Sequence, residues 1–434
     1  MANLDHNWLP FTPNRDFRAS PRLFARAEGA YYYTPDGRAV LDGSSGLFTT
    51  PAGHGRREIA DAVHKQLLEL DYASSFQRSH PRAFEAAARI AALTPEGLDR
   101  ILFCNSGSEA VDTAMKVALA YFRAKGEAGR TIFVSRERAY HGVGFGGVAL
   151  SGLVNNRRAF GPGLPQALHM RHTHLKENLF TPGEGEHGAD LADDLGRFVA
   201  LHGAENIAAC IVEPVAGSTG TLVPPKGYLR RLRDMCDAHG ILLVFDEVIT
   251  GFGRTGRAFA AQTFGVTPDM MTMAKAITNG AQPMAAVAVR RDIHHAIVED
   301  SPNPRSAVEF FHGYTWSAHP AACAAAIAAM DIYEEERLFE RANQMSAYFL
   351  DGLFSLKGVP VVTDIRGCGM MGGVDVAPTC TPGERGHVLQ QALYDRGLHV
   401  KTTGDAAVLA PPFIVTADQV DQMIDTLRAA LAAF

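Results

Sequence analysis

The chain has 434 residues, of which 47% are hydrophobic and 20% charged, and its formal net charge is −6. These fractions are typical of a globular protein that is long enough to form more than one hydrophobic core. The acidic balance gives no electrostatic case for binding to nucleic acid or to an anionic membrane.

The cysteines and the N-terminal sequence indicate the cellular compartment of the protein. Six cysteines are scattered along the chain with no C-x-x-C pair, which favours reduced thiols in a cytosol over a disulfide framework. The opening MANLDHNWLPFTPNRDF has neither a basic start nor an apolar run, so no signal peptide is expected. No stretch approaches the ~18 consecutive apolar residues of a membrane span. We therefore expect a soluble, cytoplasmic protein.

Between residues 61 and 330, short β-branched runs alternate with amphipathic stretches. Strands are predicted at RILFC (100–104), TIFVS (131–135), IAACIVEP (207–214), ILLVFDE (241–247), MMTMA (270–274) and AAVAVR (285–290). Helices are predicted at 109–126 and 228–240, the second ending at Gly240 as a left-handed cap. This alternation predicts an α/β fold with a parallel sheet covered by helices on both faces. Ligands in such folds bind beyond the carboxyl ends of the strands.

The two flanks, 1–60 and 331–434, have a different pattern. Residues 20–60 contain hairpin-like pieces with PDG and LDG turns, whereas the C-terminal flank mixes helices and short strands. In that flank, helices are predicted at 331–356, 384–397 and 416–433, and strands around 361–376 and 398–410. We infer that the two ends combine into a smaller α+β domain beside a large central domain, 61–330.

The segment NSGSEAVDTAMK, 105–116, predicts a capped helix that could hold an anion. Ser106 and Glu109 have the spacing of a capping box at the start of a helical pattern. The free amides of that terminus attract a phosphate, and Gly107 lets the ligand approach the backbone. An ordinary capped helix is the simpler interpretation if the motif is taken alone.

Lys275 stands apart from the other lysines because it directly follows the apolar run MMTMA. Such a lysine should emerge inside the protein at the end of a strand. Burial lowers the pKa of an amine and makes it a better nucleophile. A structural lysine paired with a carboxylate is the alternative.

Several other strands end in residues that complement this lysine. Asp246 ends ILLVFDE, Glu213 ends IAACIVEP, and Tyr140 follows TIFVS after a short loop, together with His141. A buried carboxylate of this kind is a metal ligand, a member of an ion pair or the partner of a cationic ligand. Together with the anion-binding helix, these groups suit pyridoxal phosphate: phosphate on the helix, ring on Tyr140, pyridinium nitrogen on Asp246 and aldehyde on Lys275.

Two further motifs are weaker indicators of function. FDEVITGFGRTGR, 245–257, matches G-x-G-x-x-G at Gly251, Gly253 and Gly256, but five residues separate the apolar run ILLVF from the first glycine. A dinucleotide site needs its glycines at the strand-to-helix turn, so we expect a loop beside the active site, with Arg254 a candidate for its interface contacts.

In HMRHTH, three histidines could bind a metal, but no matching acid or cysteine is spaced nearby, and no metal is expected. These histidines are His169, His172 and His174.

The chain resembles the class III, or ω-type, pyridoxal-phosphate aminotransferases. The motifs that carry the resemblance are NSGSEAVDTAMK, YHGVGFGG, VEPVAGSTG, FDEVITGFGRTG, TMAKAITNG and FFHGYTWSAHP. It implies fold type I: a large domain with a mostly parallel seven-stranded sheet covered by helices, and a small α+β domain from both termini. It also implies a homodimer with shared active sites, or a tetramer of two such dimers.

The resemblance assigns a role to each matching residue. Lys275 would form the Schiff base with the cofactor, and Asp246 would pair with the pyridinium nitrogen. Val248 and Tyr140 would lie against the two ring faces, while Glu213 would orient the network around Asp246. The remaining cofactor contacts would be Ser106, Gly107 and Ser108 on the phosphate, Thr315 from the second subunit, and His141.

The substrate follows less directly from the motifs. VAGSTG, LPFTPNRDF and LVPPKGYL look most like the β-alanine–pyruvate branch, which implies ω-amino acids or primary amines as donors and pyruvate as acceptor. A 2-oxoglutarate-linked pair, and a decarboxylase or aminomutase on the same scaffold, are the alternatives. A nicotinamide enzyme and a non-catalytic binding protein fit the motifs less well.

Two departures from the branch concern the substrate pocket. Phe48 stands where the family usually has a tryptophan at the pocket mouth, and Lys401 stands in VKTTGD where the branch usually has a carboxylate-binding arginine. A lysine lacks the bidentate fork of arginine, so carboxylate binding should be weaker; a plain surface lysine is the alternative. Phe76 would form an aromatic wall of the pocket, or else belong to the core.

Overall fold

Apolar runs rich in β-branched residues form the strands, because such side chains pack well on a buried pleated surface. The computed structural model describes residues 4–161, 163–164 and 166–434. Within these residues the strands are β1 (Arg26–Glu28), β2 (Tyr31–Tyr33), β3 (Ala39–Asp42), β4 (Arg100–Cys104), β5 (Ile132–Arg136), β6 (Ala167–Met170), β7 (Ile207–Val212), β8 (Leu242–Asp246), β9 (Met270–Met273), β10 (Ala285–Val289), β11 (Val362–Cys368), β12 (Met371–Val376), β13 (Leu398–His399), β14 (Lys401–Thr403) and β15 (Ala406–Leu409).

Amphipathic stretches form the helices, most of which bury one apolar face. Over the same described ranges they are α1 (Asn14–Ala19), α2 (Ser45–Phe48), α3 (Arg57–Glu69), α4 (Pro81–Leu93), α5 (Gly107–Ala124), α6 (Phe145–Leu150), α7 (Val154–Phe160), α8 (Asp194–His202), α9 (Tyr228–His239), α10 (Ala260–Phe264), α11 (Arg291–Val298), α12 (Pro320–Glu335), α13 (Leu338–Phe354), α14 (Glu384–Asp395) and α15 (Ala417–Leu431). Short 3₁₀ helices lie at Lys176–Asn178, Ala189–Asp193, Ala204–Asn206 and Lys275–Thr278. No helix in the described part of the chain has the length and apolarity needed to cross a membrane.

The central sheet confirms the predicted α/β architecture. In the described part of the chain it has seven strands, in the order β4-β10-β9-β8-β7-β5-β6. The pairs from β9 to β6 are parallel, whereas β10 is antiparallel to both of its neighbours. The six strands predicted between residues 100 and 290 are confirmed to within about two residues. The carboxyl ends of β7, β8 and β9 therefore lie side by side, and the residues that follow them meet at one edge of the sheet.

The two flanks of the chain are joined by hydrogen bonds. Strands β1, β2 and β3 form a sheet to which β13 adds in parallel, with Leu41 opposite Leu398. Strands β11, β12, β15 and β14 form a second small sheet. This pairing of N- and C-terminal strands supports a small domain built from both ends, although the division at 60 and 330 stays a proposal.

The prediction of one helix over 331–356 is wrong. The Ala-rich helix α12 runs through residue 330 to Glu335, and α13 begins at Leu338 after Arg337, whose φ is +51°. A left-handed residue breaks the helix, and nothing in the pattern of hydrophobic residues signals it. Helix α12 is almost entirely buried, because its alanines allow close packing on all sides.

Candidate active site

Lys275 lies two residues beyond the end of β9, at the start of a 3₁₀ turn. Its φ of +52° is rare for a residue with a long side chain, and such strain persists where the surrounding structure dictates it, often at active sites. Burial lowers the pKa of Lys275 to about 8, while the charges of Asp246 and Glu213 oppose this shift. Its Nζ lies 5.5 Å from the ring centre of Phe48. The amine is thus available as a nucleophile and proton acceptor near neutral pH.

Asp246, the last residue of β8, is 5% exposed and held by groups from three segments. His141 Nδ1 lies 2.8 Å from its Oδ2, and His141 Nε2 lies 3.1 Å from Ser135 Oγ. Its Oδ1 accepts from the Thr272 hydroxyl at 3.1 Å and from the Val248 amide at 3.2 Å. A carboxylate fixed in this way is suited to pair with a pyridinium N–H.

The neighbouring acid, Glu247, has a different task. It is 1% exposed and accepts from the amides of Ala260 and Ala261, at 2.8 and 2.7 Å, and from the Thr250 hydroxyl at 2.6 Å. Burial raises the pKa of Glu247 to about 7, while these hydrogen bonds oppose the shift. Glu247 therefore caps α10, and only Asp246 of this acidic pair faces the candidate site.

Glu213 follows β7 and holds the backbone beside Asp246. Its Oε1 accepts from the Tyr140 amide at 2.9 Å, next to His141, which contacts Asp246 directly. Burial raises the pKa of Glu213 to about 7; His141 opposes the shift and Asp246 adds to it. The predicted role of Glu213 in orienting this network stays a prediction. The hydrogen bond to the Tyr140 amide would allow it, because it fixes the backbone next to His141.

The N-terminus of α5, at Ser106 and Gly107, forms a cradle, meaning a backbone site that could hold an anion. Ser106 caps it by accepting from the Glu109 amide at 3.2 Å, while Glu109 Oε2 accepts from the Asn105 amide rather than from Ser106. A Cβ on Gly107 would lie only 2.9 Å from Val248 Cγ1, so glycine is required for this approach. The cradle, the carboxylate and the buried amine together fit pyridoxal 5′-phosphate, which needs an anion site, a pyridinium partner and an amine.

Two of the predicted substrate residues lie on the inner side of the site. Phe48 is 1% exposed, beside Lys275, whereas its neighbour Leu47 is exposed. Lys401 Nζ donates to the Ser218 carbonyl at 2.8 Å. Burial lowers the pKa of Lys401 to about 8; Lys275 lowers it further and Glu213 opposes the shift. Lys401 therefore belongs to the electrostatic environment of Lys275, and the alternative of a plain surface lysine is not supported.

Phe76 and Thr315 lie together on an exposed surface. Phe76 is 55% exposed and covers Gly313, where a Cβ would lie 2.9 Å from its ring. The Tyr72 hydroxyl donates to the Thr315 carbonyl at 3.0 Å. The alternative of a core position for Phe76 is wrong, and the predicted contacts of both residues with cofactor or substrate stay predictions.

Sequence reasoning missed three neighbours of these groups. Thr272, the polar residue of MMTMA, and Ser135, at the end of TIFVS, complete the network around Asp246. Phe11 lies edge-on to Tyr140, with 6.5 Å between ring centres. Thr272 and Ser135 were detectable as hydroxyls within predicted strands, whereas nothing in the N-terminal segment indicates the contact of Phe11.

The glycine-rich run forms a loop, as predicted. A Cβ on Gly251 would lie 2.9 Å from the Glu247 carbonyl, and Gly253 has a φ of +97°. Arg254 is 2% exposed and donates to the carbonyls of Met370 and Pro411. Arg254 is therefore a buried side chain that links segments of its own chain by hydrogen bonds, and it is not available for interface contacts.

The histidine-rich run places His174 beside two acids that are distant in sequence, Asp364 and Asp375. Ligand-capable atoms of the three lie within 4.8 Å of one another. Arg366 already donates to both carboxylates at 2.6 Å, and Arg138 donates to His174 Nδ1 at 2.8 Å. A divalent cation would face two guanidinium groups there, so we assign no metal to this cluster.

Comparison with known proteins agrees with this chemistry. Residues 14–431 match the family described as Aminotransferase class-III. An omega-aminotransferase of Caulobacter vibrioides is 51% identical, over 99% of this chain and 98% of the relative. A beta-alanine–pyruvate aminotransferase of Pseudomonas aeruginosa is 45% identical, over 99% and 96%. The solved structure of an (S)-enantioselective omega-transaminase from Thermomicrobium roseum superposes with a TM-score of 0.92 at 35% identity, over 99% of this chain and 97% of that one. The chain belongs to the class III aminotransferases, which depend on pyridoxal 5′-phosphate.

Proposed function

We propose that this aminotransferase moves the amino group of an ω-amino acid, such as β-alanine, or of a primary amine to pyruvate. The observation that carries the proposal is the contact of Lys401 Nζ with the Ser218 carbonyl at 2.8 Å, in the buried turn that follows Glu213, because a cation there could bind a substrate carboxylate. The relatives named for β-alanine and pyruvate at 45% identity support the same choice of substrates.

We assign each residue of the candidate site a separate role in the reaction. When bound, pyridoxal phosphate supplies an aldehyde for the amine and a ring that accepts electrons. Asp246 would hold a proton on the ring nitrogen, and the N-terminus of α5 would hold the phosphate. Lys275, with its pKa near 8, would take the proton from the substrate carbon as general base and donate it as general acid to the C4′ carbon of the cofactor. Tyr140 and Val248 would lie against the two faces of the ring.

The direct test is product analysis with the purified holoenzyme. With β-alanine and pyruvate we expect alanine to form in equal amounts to the donor consumed, at least about tenfold faster than amino transfer to 2-oxoglutarate, a difference of ~1.4 kcal/mol in barrier. A preference for 2-oxoglutarate would contradict the choice of acceptor. Release of CO₂, or a rearranged amine without alanine, would assign the site to a decarboxylase or an aminomutase instead.

Replacing Lys401 with arginine should strengthen the binding of carboxylates. Arginine offers two parallel N–H donors where lysine offers a point charge. We expect the KM for pyruvate to fall by about threefold to tenfold, equivalent to ~1 kcal/mol for one more charge-assisted hydrogen bond. The measurement is steady-state kinetics with β-alanine and with a donor that has no carboxylate, and the KM of that second donor should not change. Equal kinetics for Lys401→Arg and wild type would remove Lys401 from the pocket.

A homodimer with shared active sites, or a tetramer of two such dimers, and a cytoplasmic location also belong to the proposal. The exposed surface around Thr315 carries large apolar side chains, with Phe76 55%, Phe311 87% and Trp316 61% exposed. Patches of this kind commonly mark protein interfaces. All six cysteines are free thiols, which is consistent with a reducing compartment.

A further inference from the structure

The segment after Glu213 forms a tight, buried turn beside the candidate site. The Ala216 amide donates to the Leu222 carbonyl at 3.1 Å, and the Leu222 amide donates to the Ala216 carbonyl at 3.0 Å. The Gly217 carbonyl accepts from the amides of Gly220 and Thr221. These bonds close the turn without using the carbonyls of residues 218–220. Because the turn is buried, those three carbonyls need donors from elsewhere.

Each of the three consecutive carbonyls accepts from a different basic side chain. Lys401 Nζ donates to Ser218 at 2.8 Å. Arg138 Nη2 donates to Thr219 at 3.3 Å, and Arg366 Nε donates to Gly220 at 2.7 Å. Lys401 and Arg366 belong to β14 and β11 of the same small sheet, whereas Arg138 follows β5 of the central sheet. The turn is thus held between the two sheets by cations.

Arg366 is the most firmly fixed of these donors. It is 5% exposed, and its other two nitrogens donate to Asp364 and Asp375 at 2.6 Å each. The fit of the turn against the small sheet is also tight, because a Cβ on Gly220 would lie 2.7 Å from Arg366 Nη2 and one on Gly373 would lie 2.4 Å from the Gly220 carbonyl. The turn therefore cannot shift without displacing Arg366.

This arrangement determines where the Lys401 ammonium lies. An ammonium has three N–H donors in all, and the Ser218 carbonyl takes one of them. The other donors are available to a carboxylate, so a substrate can bind without Lys401 leaving its contact. A point charge with a fixed position selects substrates by the distance between their carboxylate and their reacting carbon.

We propose that Arg366 is a positioning residue which, by holding the turn at residues 218–220, fixes Lys401 as a stationary binding point for the substrate carboxylate. The inference rests on the proposed function, since it needs a carboxylated substrate. It adds that the binding point is built by the turn and its three cations rather than by Lys401 alone.

The test is the conservative change Arg366→Lys in the holoenzyme. A lysine retains the charge between Asp364 and Asp375, but its single ammonium cannot replace the guanidinium contact with Gly220. We expect the KM for pyruvate to rise threefold to tenfold, with kcat within twofold of wild type. The KM for 2-aminobutane, an amine without a carboxylate, should stay within twofold. Arg341→Lys is the matched control, because Arg341 donates to the carbonyls of residues 413–415, and it should leave both KM values unchanged.

A double-mutant cycle with Lys401→Gln separates positioning from general loosening of the fold. In the Lys401→Gln background, Arg366→Lys should leave the KM for pyruvate within twofold, since no ammonium remains to be positioned. Additive effects, an equal rise in KM for 2-aminobutane, or no effect of Arg366→Lys would each overturn the inference. If wild type does not accept β-alanine, the proposed donor fails, but the KM for pyruvate still tests Arg366 with 2-aminobutane as donor.

Discussion

Lys275→Ala is expected to lower the rate of alanine formation by about 10⁴-fold, at the upper end of what a positioned acid–base group contributes. The variant loses the amine that binds the aldehyde and also the group that moves the proton at the substrate carbon. Lys401, which shares this environment, should not take over, because it is held on the Ser218 carbonyl. The measurement is the initial rate with β-alanine and pyruvate under saturating cofactor.

The matched control for this change is Lys226→Ala. Lys226 is exposed, paired with Glu186, and has no contact with the residues of the candidate site, so its variant should keep the wild-type rate. Unfolding temperatures of both variants check that the loss comes from chemistry rather than from the fold. If Lys275→Ala turned over amine and pyruvate at the wild-type rate, Lys275 would have neither of the proposed roles.

Lys275 and Asp246 were predictable from the sequence for one physical reason. Strands of a parallel sheet carry their ligands at their carboxyl ends, so a lysine and an acid that directly follow two buried apolar runs must lie near each other. The order β9-β8-β7 in the sheet then brings Lys275, Asp246 and Glu213 to one edge. Periodicity and strand ends are local signals, and the local signals gave these three positions.

Other parts of the fold and the site depend on contacts between distant segments. The contact of Lys401 with Ser218 spans 183 positions, and that of Arg366 with Gly220 spans 146; no local pattern encodes either contact. Strand β6 was not predicted for a different reason: it has only four residues at the edge of the sheet, three of them half-buried, too few for an alternating pattern. Single backbone angles, such as that of Arg337 between α12 and α13, are equally invisible to patterns of hydrophobic residues.

Asp246→Asn should give the second large effect, a loss of about 10²–10³-fold in kcat, which is the usual cost of removing one preorganised electrostatic contact. Asparagine has nearly the same shape and can still accept from Thr272, so the pocket should keep its form. Its amide carries no negative charge, however, and cannot hold a proton on the ring nitrogen. The absorbance spectrum of the bound cofactor should change together with the rate, since both depend on the protonation of that nitrogen.

The neighbouring acid provides the control, because Glu247→Gln replaces a buried carboxyl group one residue away. Glu247 accepts from two helix amides and a hydroxyl, and glutamine cannot match all three contacts. This variant should lose about 1–3 kcal/mol of stability, seen as a lower unfolding temperature, while the folded fraction keeps its rate and its cofactor spectrum. Asp246→Asn should do the opposite, changing the rate and the spectrum far more than the stability. If the two variants had the same profile, the loss in Asp246→Asn would reflect damage to the strand end that both residues share, and the assignment of Asp246 to the ring nitrogen would fail.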